Sequence, residues 1–303
     1  MAHRRSLARL AVVAAAALAA LPAWAQIKIA YVDPLSGGGA TIGEHGLKHL
    51  QYLVEVINAR GGVAGGQKLE AVAYDNKGSP QESLVQVQKA IDAGVRFITQ
   101  GNGSGAAIAI SEFIAKYNER NPGKEVLYFN YAAVDPSLTN EKCSYWHFKL
   151  DASSDIKMAA LTNFMGAVPT SRRSTSSART TCSWPARKAA NEMLKAKRPD
   201  DQVVGDELHP LLKITDFAPY IAKIKASGAD SVITGNWGND MSLLLKAAAD
   251  AGLKVGWYTY YAGGAGGPTA VKRDGPGPPG VPDQRAGRTC PRPRWVLFAD
   301  VPS

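Results

Sequence analysis

From Ile27 to about Tyr261 the chain repeats one unit: a short β-branched and apolar run, a glycine-rich or polar loop, and a longer run with apolar residues at helical spacing. "IKIAYV" leads through "DPLSGGGATIG" into a helix predicted over residues 44–60, where Leu47, Leu50, Leu53, Val54 and Ile57 share a face. "LEAVAY" is a strand stopped by "DNKGSP", and Pro80 suits the first turn of a helix over 81–93. "VRFITQ", the loop "GNGSG" and the helix "AAIAISEFIAKYNER" repeat the cycle, and "EVLYFNY" is followed by the loop "AAVDPSLTNEKC". Further helices are predicted over 155–167, 189–197, 217–227 and "MSLLLKAAADAG", and further strands at "DQVVGDEL", "ADSVITG" and "KVGWYTYY". Alternation of this kind builds an α/β protein of doubly wound parallel sheets with helices on both faces. Ligands of such sheets bind in loops beyond the carboxyl ends of the strands. The loops at 33–43, 101–105, 131–141 and 235–240 are therefore where function is to be sought.

"GNGSG" (101–105) stands between a strand and a helix, so its backbone N–H groups point out of a helix N-terminus that favours an anion, and Ser104 adds a hydroxyl. The spacing G-x-G-x-G is not the dinucleotide G-x-G-x-x-G, and "EVLYFNY" ends without a ribose-binding acid, so a small carboxylate fits better than a pyrophosphate. A glycine turn with no ligand is the plain alternative. In "GNWGND", Trp237 is either a packed lid residue or an apolar wall for a ligand, and Asp240 is a helix N-cap or first-turn acid. Of Tyr258, Tyr260 and Tyr261, the last two lie nearest the loop and are site candidates. There is neither a Ser-His-Asp or Cys-His arrangement nor a nucleophile elbow, and no metal-ligand spacing among the histidines and cysteines, so no enzyme activity, metal or cofactor is predicted.

The first 25 residues have the layout of a cleavable secretory leader: Arg4, Arg5 and Arg9, an apolar run from Leu10 to Leu21, and Ala23-Trp24-Ala25 before a cut ahead of Gln26. The apolar run is shorter than the ~20 residues that span a bilayer. The net charge of +9 suggests nucleic acid until it is located. The leader carries +3, residues 169–187 carry +4 and residues 272–303 carry +3, which leaves −1 for the rest and no basic face. No nucleic-acid partner is predicted. Cys182 and Cys290 fall in those two basic segments, and Cys143 is alone in the regular part.

Four stretches carry a family resemblance: "IKIAYVDPLSGGGATIGEHGLKHLQYLVEVINARGGVAGGQKLEAVAYDNKGSP", "VRFITQGNGSGAAIAISEF", "YAAVDPSLTN" and "KIKASGADSVITGNWGNDMSLLLKAAADAGLKV". Over about 27–168 and 188–271 the chain resembles the periplasmic substrate-binding protein of branched-chain amino acid ABC transporters, the leucine/isoleucine/valine-binding type. The resemblance implies a type I periplasmic binding fold, with a first lobe over 26–150 and a second over 151–271 closing on a small amino-acid-like ligand by hinge motion. It implies a monomer that serves a membrane permease; a ligand-sensing receptor on the same fold is the alternative. Ser104 and Gly105 would hold the ligand carboxylate, Ala132, Ala133 and Val134 would offer backbone groups, and Ser36, Gly37 and Gly38 would wall the side-chain pocket. Asn236, Trp237 and Tyr261 would contribute from the second lobe. Two departures stand out: Val134 lacks a hydroxyl common there, and the ammonium-binding acid falls near Tyr261, with no Asp or Glu between Val255 and Gly267. An amide, a keto acid or another small carboxylate is then a possible ligand, unless an acid comes from elsewhere.

"TSRRSTSSARTTCSWPARK" (170–188) has four arginines, no acid and no apolar periodicity, where the family needs a strand and a ligand loop of the type Asp-Tyr. One permitted set of codons for Ala178–Ser183, read two bases on, gives Lys-Asp-Tyr-Leu-Leu; Val281–Arg285 read one base on gives Tyr-Gln-Ile-Ser. Segments 169–187 and 272–303 are therefore expected to be out of frame, with no strand in the former, and the chain as written to be an incomplete fold and a non-functional fragment. The prediction is that the literal 303-residue product aggregates or is degraded, and that restoring both frames rescues solubility and binding together. A soluble, cooperatively melting, ligand-binding product of the unrepaired sequence overturns it.

Overall fold

The computed structural model of the protein describes residues 26–167, 173–179 and 184–261; the expected leader (1–25), the tail (272–303), Cys182 and Cys290 lie outside them. The first lobe runs β1 (Ile27–Asp33), α1 (Ala40–Ala59), β2 (Leu69–Asp75), α2 (Pro80–Asp92), β3 (Phe97–Gln100), α3 (Ser104–Arg120), β4 (Leu127–Asn130) and β5 (His147–Lys149). Its five strands pair in parallel in the order β2-β1-β3-β4-β5. The second lobe runs α4 (Ser154–Ala167), β6 (Arg173–Arg179), α5 (Trp184–Lys197), β7 (Gln202–His209), α6 (Ala218–Ser227), β8 (Ser231–Thr234), α7 (Gly238–Asp250) and β9 (Gly256–Tyr258). Its sheet, also parallel, has the order β7-β6-β8-β9.

The local signals act where the sequence places them. Ser79 caps α2 by accepting the Glu82 N–H, with Pro80 at the first helical position, where its missing donor costs nothing. Gly228 closes α6 at φ 65°, a left-handed cap that favours glycine. Burial follows from the parallel topology: Ala30, Tyr31 and Val32 are consecutive and all buried, as are the four residues of β8. Val87, Ile98, Ile110, Ile114 and Val126 fill the first lobe's core. Phe217, Ile221, Val232 and Leu244 form part of the second's.

Two strands depart from the sequence reading. β5 is one, three residues long and too short to read as a strand in "SYWHFKLD". It is the outer strand of its sheet, and Tyr145, Phe148 and Leu150 around it are exposed. The other is β6, which corrects the expectation that 170–187 holds no strand. It lies between β7 and β8 and pairs with both, with a register shift between Ser174 and Thr175. Strand pairing is a backbone property, and Ser and Thr accept an extended backbone. Two facing strand edges thus complete a ladder through a segment that has no aliphatic run. α5 likewise begins at Trp184, ahead of the expected 189. No helix among the described residues is long and apolar enough to cross a membrane.

α3 is tied to the sheet by one side chain. Asn118, nearly buried, accepts the Val126 N–H at 2.9 Å and donates to the Val126 carbonyl at 2.9 Å. Asn118→Ala leaves both groups buried and unpaired, and should lower stability by about 2–4 kcal/mol in urea unfolding; a loss under about 0.5 kcal/mol contradicts the assignment.

Candidate functional site

Residues that follow β3, β4, β5 and β9, together with the first turns of α1 and α7, line one cavity of about 310 Å³ between the two lobes. That volume sits at the small end of the ~300–1,000 Å³ typical of small-ligand sites. The first lobe's floor is the turn into α3. Gly103 sits at φ 95°, accessible to glycine, and turns the chain so that Ser104 opens the helix facing the cavity. Ser104 is 1 % exposed, and its Oγ has no hydrogen-bond partner among the described residues. A helix N-terminus of this length, 17 residues, favours negative charge beside that hydroxyl.

Two N–H groups earlier in the turn, those of Gly101 and Asn102, are already engaged. Asp33, fully buried at the end of β1, accepts the Gly101 N–H at 3.2 Å and the Asn102 N–H at 2.9 Å. It also accepts the Tyr131 hydroxyl at 2.6 Å. Burial pushes the Asp33 carboxyl up to about 6, and the bonds from Tyr131, Asn102 and Gly101 hold it from rising further. Burial, with the nearby Asp33 charge, also raises the Tyr31 and Tyr131 hydroxyls far above their ordinary range, so both stay neutral.

The loop after β4 brings Ala132, Ala133 and Val134 to the wall, but most of its backbone groups are taken. Asn130 accepts the Ala132 and Ala133 N–H groups at 3.2 and 2.7 Å and donates to the Ala133 carbonyl at 3.1 Å. The Val134 carbonyl accepts the Ser154 N–H at 2.8 Å. Of the backbone groups of Ala132, Ala133 and Val134, the Ala132 carbonyl and the Val134 N–H have no partner among the described residues.

From the second lobe, Trp237 and Tyr261 line the cavity and Tyr260 joins them, its ring 4.5 Å from that of Tyr261. Other expected residues lie off the wall. Asn236 is fully buried with Oδ1 at 3.0 Å from His209 Nε2, so its side chain is turned to the sheet. Ser36 donates to Asp75 at 2.6 Å, and Gly37 and Gly38 are not part of the wall either. Gly38 meets the second lobe instead: a Cβ there would lie 2.8 Å from the Leu212 carbonyl oxygen. Gly105 faces Pro80. Asp240, in the first turn of α7, accepts the Leu212 N–H at 2.9 Å.

The wall also holds residues that the sequence reading passed over: Ile42, Gly46 and His49 of α1, Tyr131, Asp151, Lys157, Met241 and Ser242. Asp151 is the consequential one, a carboxylate in a cavity where the reading found no acid. It follows β5, and the general rule about loops beyond strand ends would have found it had that short strand been recognised. Asp151 is paired with Lys157, whose ammonium lies 5.8 and 5.5 Å from the ring centres of Tyr260 and Tyr261. No group of His, Cys, Asp and Glu among the described residues is placed to hold a metal, and Cys143 is free and exposed.

The buried carboxylate predicts a pH dependence. Because the folded-state value of Asp33 lies above the ordinary 3.8, the folded chain keeps this proton longer than the unfolded one. Its contribution is therefore fully present below 3.8 and is lost as pH rises to about 6, by roughly 3 kcal/mol. Urea unfolding across that window should show a steeper fall for the native sequence than for Asp33→Asn; equal slopes contradict the assignment.

Comparison with known proteins converges on one family. The sequence profile described as "Periplasmic binding protein" matches residues 26–281. The chain is 38% identical over 235 residues to Leu/Ile/Val-binding protein homolog 4 of Brucella abortus (strain 2308), covering 78% of this chain and 56% of that protein. The chain thus spans a little over half the length of that relative. The closed crystal structure of a leucine-, isoleucine-, valine-, threonine- and alanine-binding protein from Brucella ovis superposes with a TM-score of 0.64 at 37% identity, over 82% of this chain and 64% of that one. An R. palustris solute-binding protein in complex with 4-hydroxybenzoate shares the fold, with a TM-score of 0.67 at 22% identity over 78% of this chain and 62% of that one. Two parallel α/β lobes around a shared cavity, and a match over most of the chain, lead to one conclusion: the chain belongs to the periplasmic binding protein family, among the type I proteins of the Leu/Ile/Val-binding branch.

Proposed function

We propose that the chain is an exported, monomeric solute-binding protein that captures a branched-chain or related amino acid between its lobes and delivers it to the permease of an ABC transporter. The observation that carries this reading is Ser104 Oγ, buried and without a partner among the described residues, at the N-terminus of α3 and in the wall of the inter-lobe cavity. The ligand carboxylate sits on Ser104 and the first-turn N–H groups, where the helix dipole favours it. Val134 N–H is a further donor. The ligand ammonium lies toward the Ala132 carbonyl and Asp151, which takes the place of the acid missing from the loop after β9. Trp237, Tyr260 and Tyr261 cover the side chain. Names of the Brucella relatives support the amino-acid class.

A thermal-shift screen of amino acids, amides and amine-free carboxylates tests this directly; no stabilisation by any small carboxylate sinks the reading. For the best ligand, Ser104→Ala should weaken binding by about 1–3 kcal/mol in calorimetry, the cost of a charge-assisted hydrogen bond. Asp151→Asn should weaken an amino acid more than its deaminated analogue. Equal losses for the two remove Asp151 from the ammonium site.

A second reading, a non-functional frame-disrupted chain, is favoured by one observation. β6 is an interior strand of its sheet, yet its sequence RSTSSAR has no aliphatic residue larger than alanine, whereas such strands are ordinarily near-continuous apolar runs.

A further inference from the structure

Asp33 reaches the cavity from behind. The carboxylate is not in the wall, yet each of its three donors, the N–H groups of Gly101 and Asn102 and the hydroxyl of Tyr131, belongs to a residue that is. Tyr131 is fixed from two further directions. Asn102 Nδ2 donates to its hydroxyl at 2.9 Å, and the Tyr31 hydroxyl lies 2.9 Å away while donating to the Gly43 carbonyl of α1. The packing leaves no room for the network to shift sideways: a Cβ on Gly101 would lie 2.7 Å from the Tyr131 ring, and one on Gly46 would lie 2.2 Å from the Tyr31 hydroxyl.

We propose that Asp33 is a positioning residue for ligand capture: as a carboxylate it draws the Gly101 and Asn102 N–H groups and the Tyr131 hydroxyl onto itself, and so sets the turn that presents Ser104 to the cavity. The inference deepens the proposed function and rests on it for the ligand, though the coupling of the loop to Asp33 does not.

The chemistry makes the arrangement sensitive to protons. The titratable groups that face Asp33 are Tyr31 on its own strand, Tyr128 on β4 and Tyr131 beyond it, all kept neutral by burial. No lysine, arginine or histidine is among the groups that shift it. Three converging donors are thus what holds the charge, and a protonated carboxyl accepts them less strongly and must itself donate. Its raised value, about 6, places that change in mild acid.

The test is a pH series on the full chain by ¹⁵N NMR with calorimetry, using L-leucine as the probe ligand. The Gly101 and Asn102 amides should titrate together with a midpoint near 6, and this titration should vanish in Asp33→Asn. Tyr131→Phe should move the midpoint upward, because the Tyr131 hydroxyl stabilises the carboxylate. Leucine affinity should fall by about tenfold on acidification through the midpoint, and by a similar factor in Asp33→Asn at neutral pH with no further pH dependence. Amides that do not titrate overturn the proposal, as does an affinity that is flat or rises in acid. If Asp33→Asn does not fold, the native series and Tyr131→Phe still decide it. Leucine that fails to bind the native chain at every pH counts against the proposed function, and the amide titration then judges the positioning role alone.

Discussion

A parallel strand cannot return to its neighbour through a tight turn; each must be reached by a crossover that packs a helix on the sheet. Both sheets here are parallel throughout. That constraint sends every strand's carboxyl end, and every helix's amino end, to one edge of each lobe. The cavity forms where the two edges face one another, and its wall is made of turns and the early turns of helices. Its backbone donors follow: N–H groups and helix N-termini are concentrated there before any side chain is chosen. Ser104 and Asp33 refine this arrangement. One leaves a hydroxyl open toward the cavity, and the other consumes the two N–H groups that would compete with it.

Much of this was legible in the chain. Long periodic runs such as the one from Leu47 to Ile57 fix helices, and "IKIAYV" and "SVIT" read as buried strands because parallel strands bury both faces. The turn "GNGSG" could be placed at a helix N-terminus for the same reason. What could not be read depends on distances between segments far apart in sequence. Asp33 and Tyr131 are 98 residues apart, and nothing local marks either as the other's partner. Asn236 follows a strand end, as a ligand residue should, but its side chain goes to His209. Backbone groups of Ala132 and Ala133 looked available because the sequence does not reveal that Asn130 folds back on them. β5 was lost for a different reason: three residues carry too little pattern.

β6 shows the limit of periodicity from the other side. Its residues give no strand signal, yet neighbours on both sides offer unpaired edges, and the ladder forms through the backbone. Backbone pairing does not supply what the faces of an interior strand normally add. α4 and α5 pack beside this sheet through Met158, Leu161, Met165 and Leu194, and those side chains meet β8 through Ile233. The second lobe's core is correspondingly divided, with one cluster on each face of the sheet.

The meeting of Gly38 with Leu212 has a consequence for size. Leu212 is held at φ 54°, a conformation disfavoured for leucine, by its N–H bond to Asp240. Its carbonyl therefore stands at a fixed height above the first lobe. The residue opposite has no side chain, and the Leu212 carbonyl and Cβ take the space that one would fill, with Leu212 Cδ1 beside Gly39. A side chain at position 38 would therefore collide with the second lobe. Any larger residue there would hold the two walls of the cavity further apart, from a position outside the wall itself.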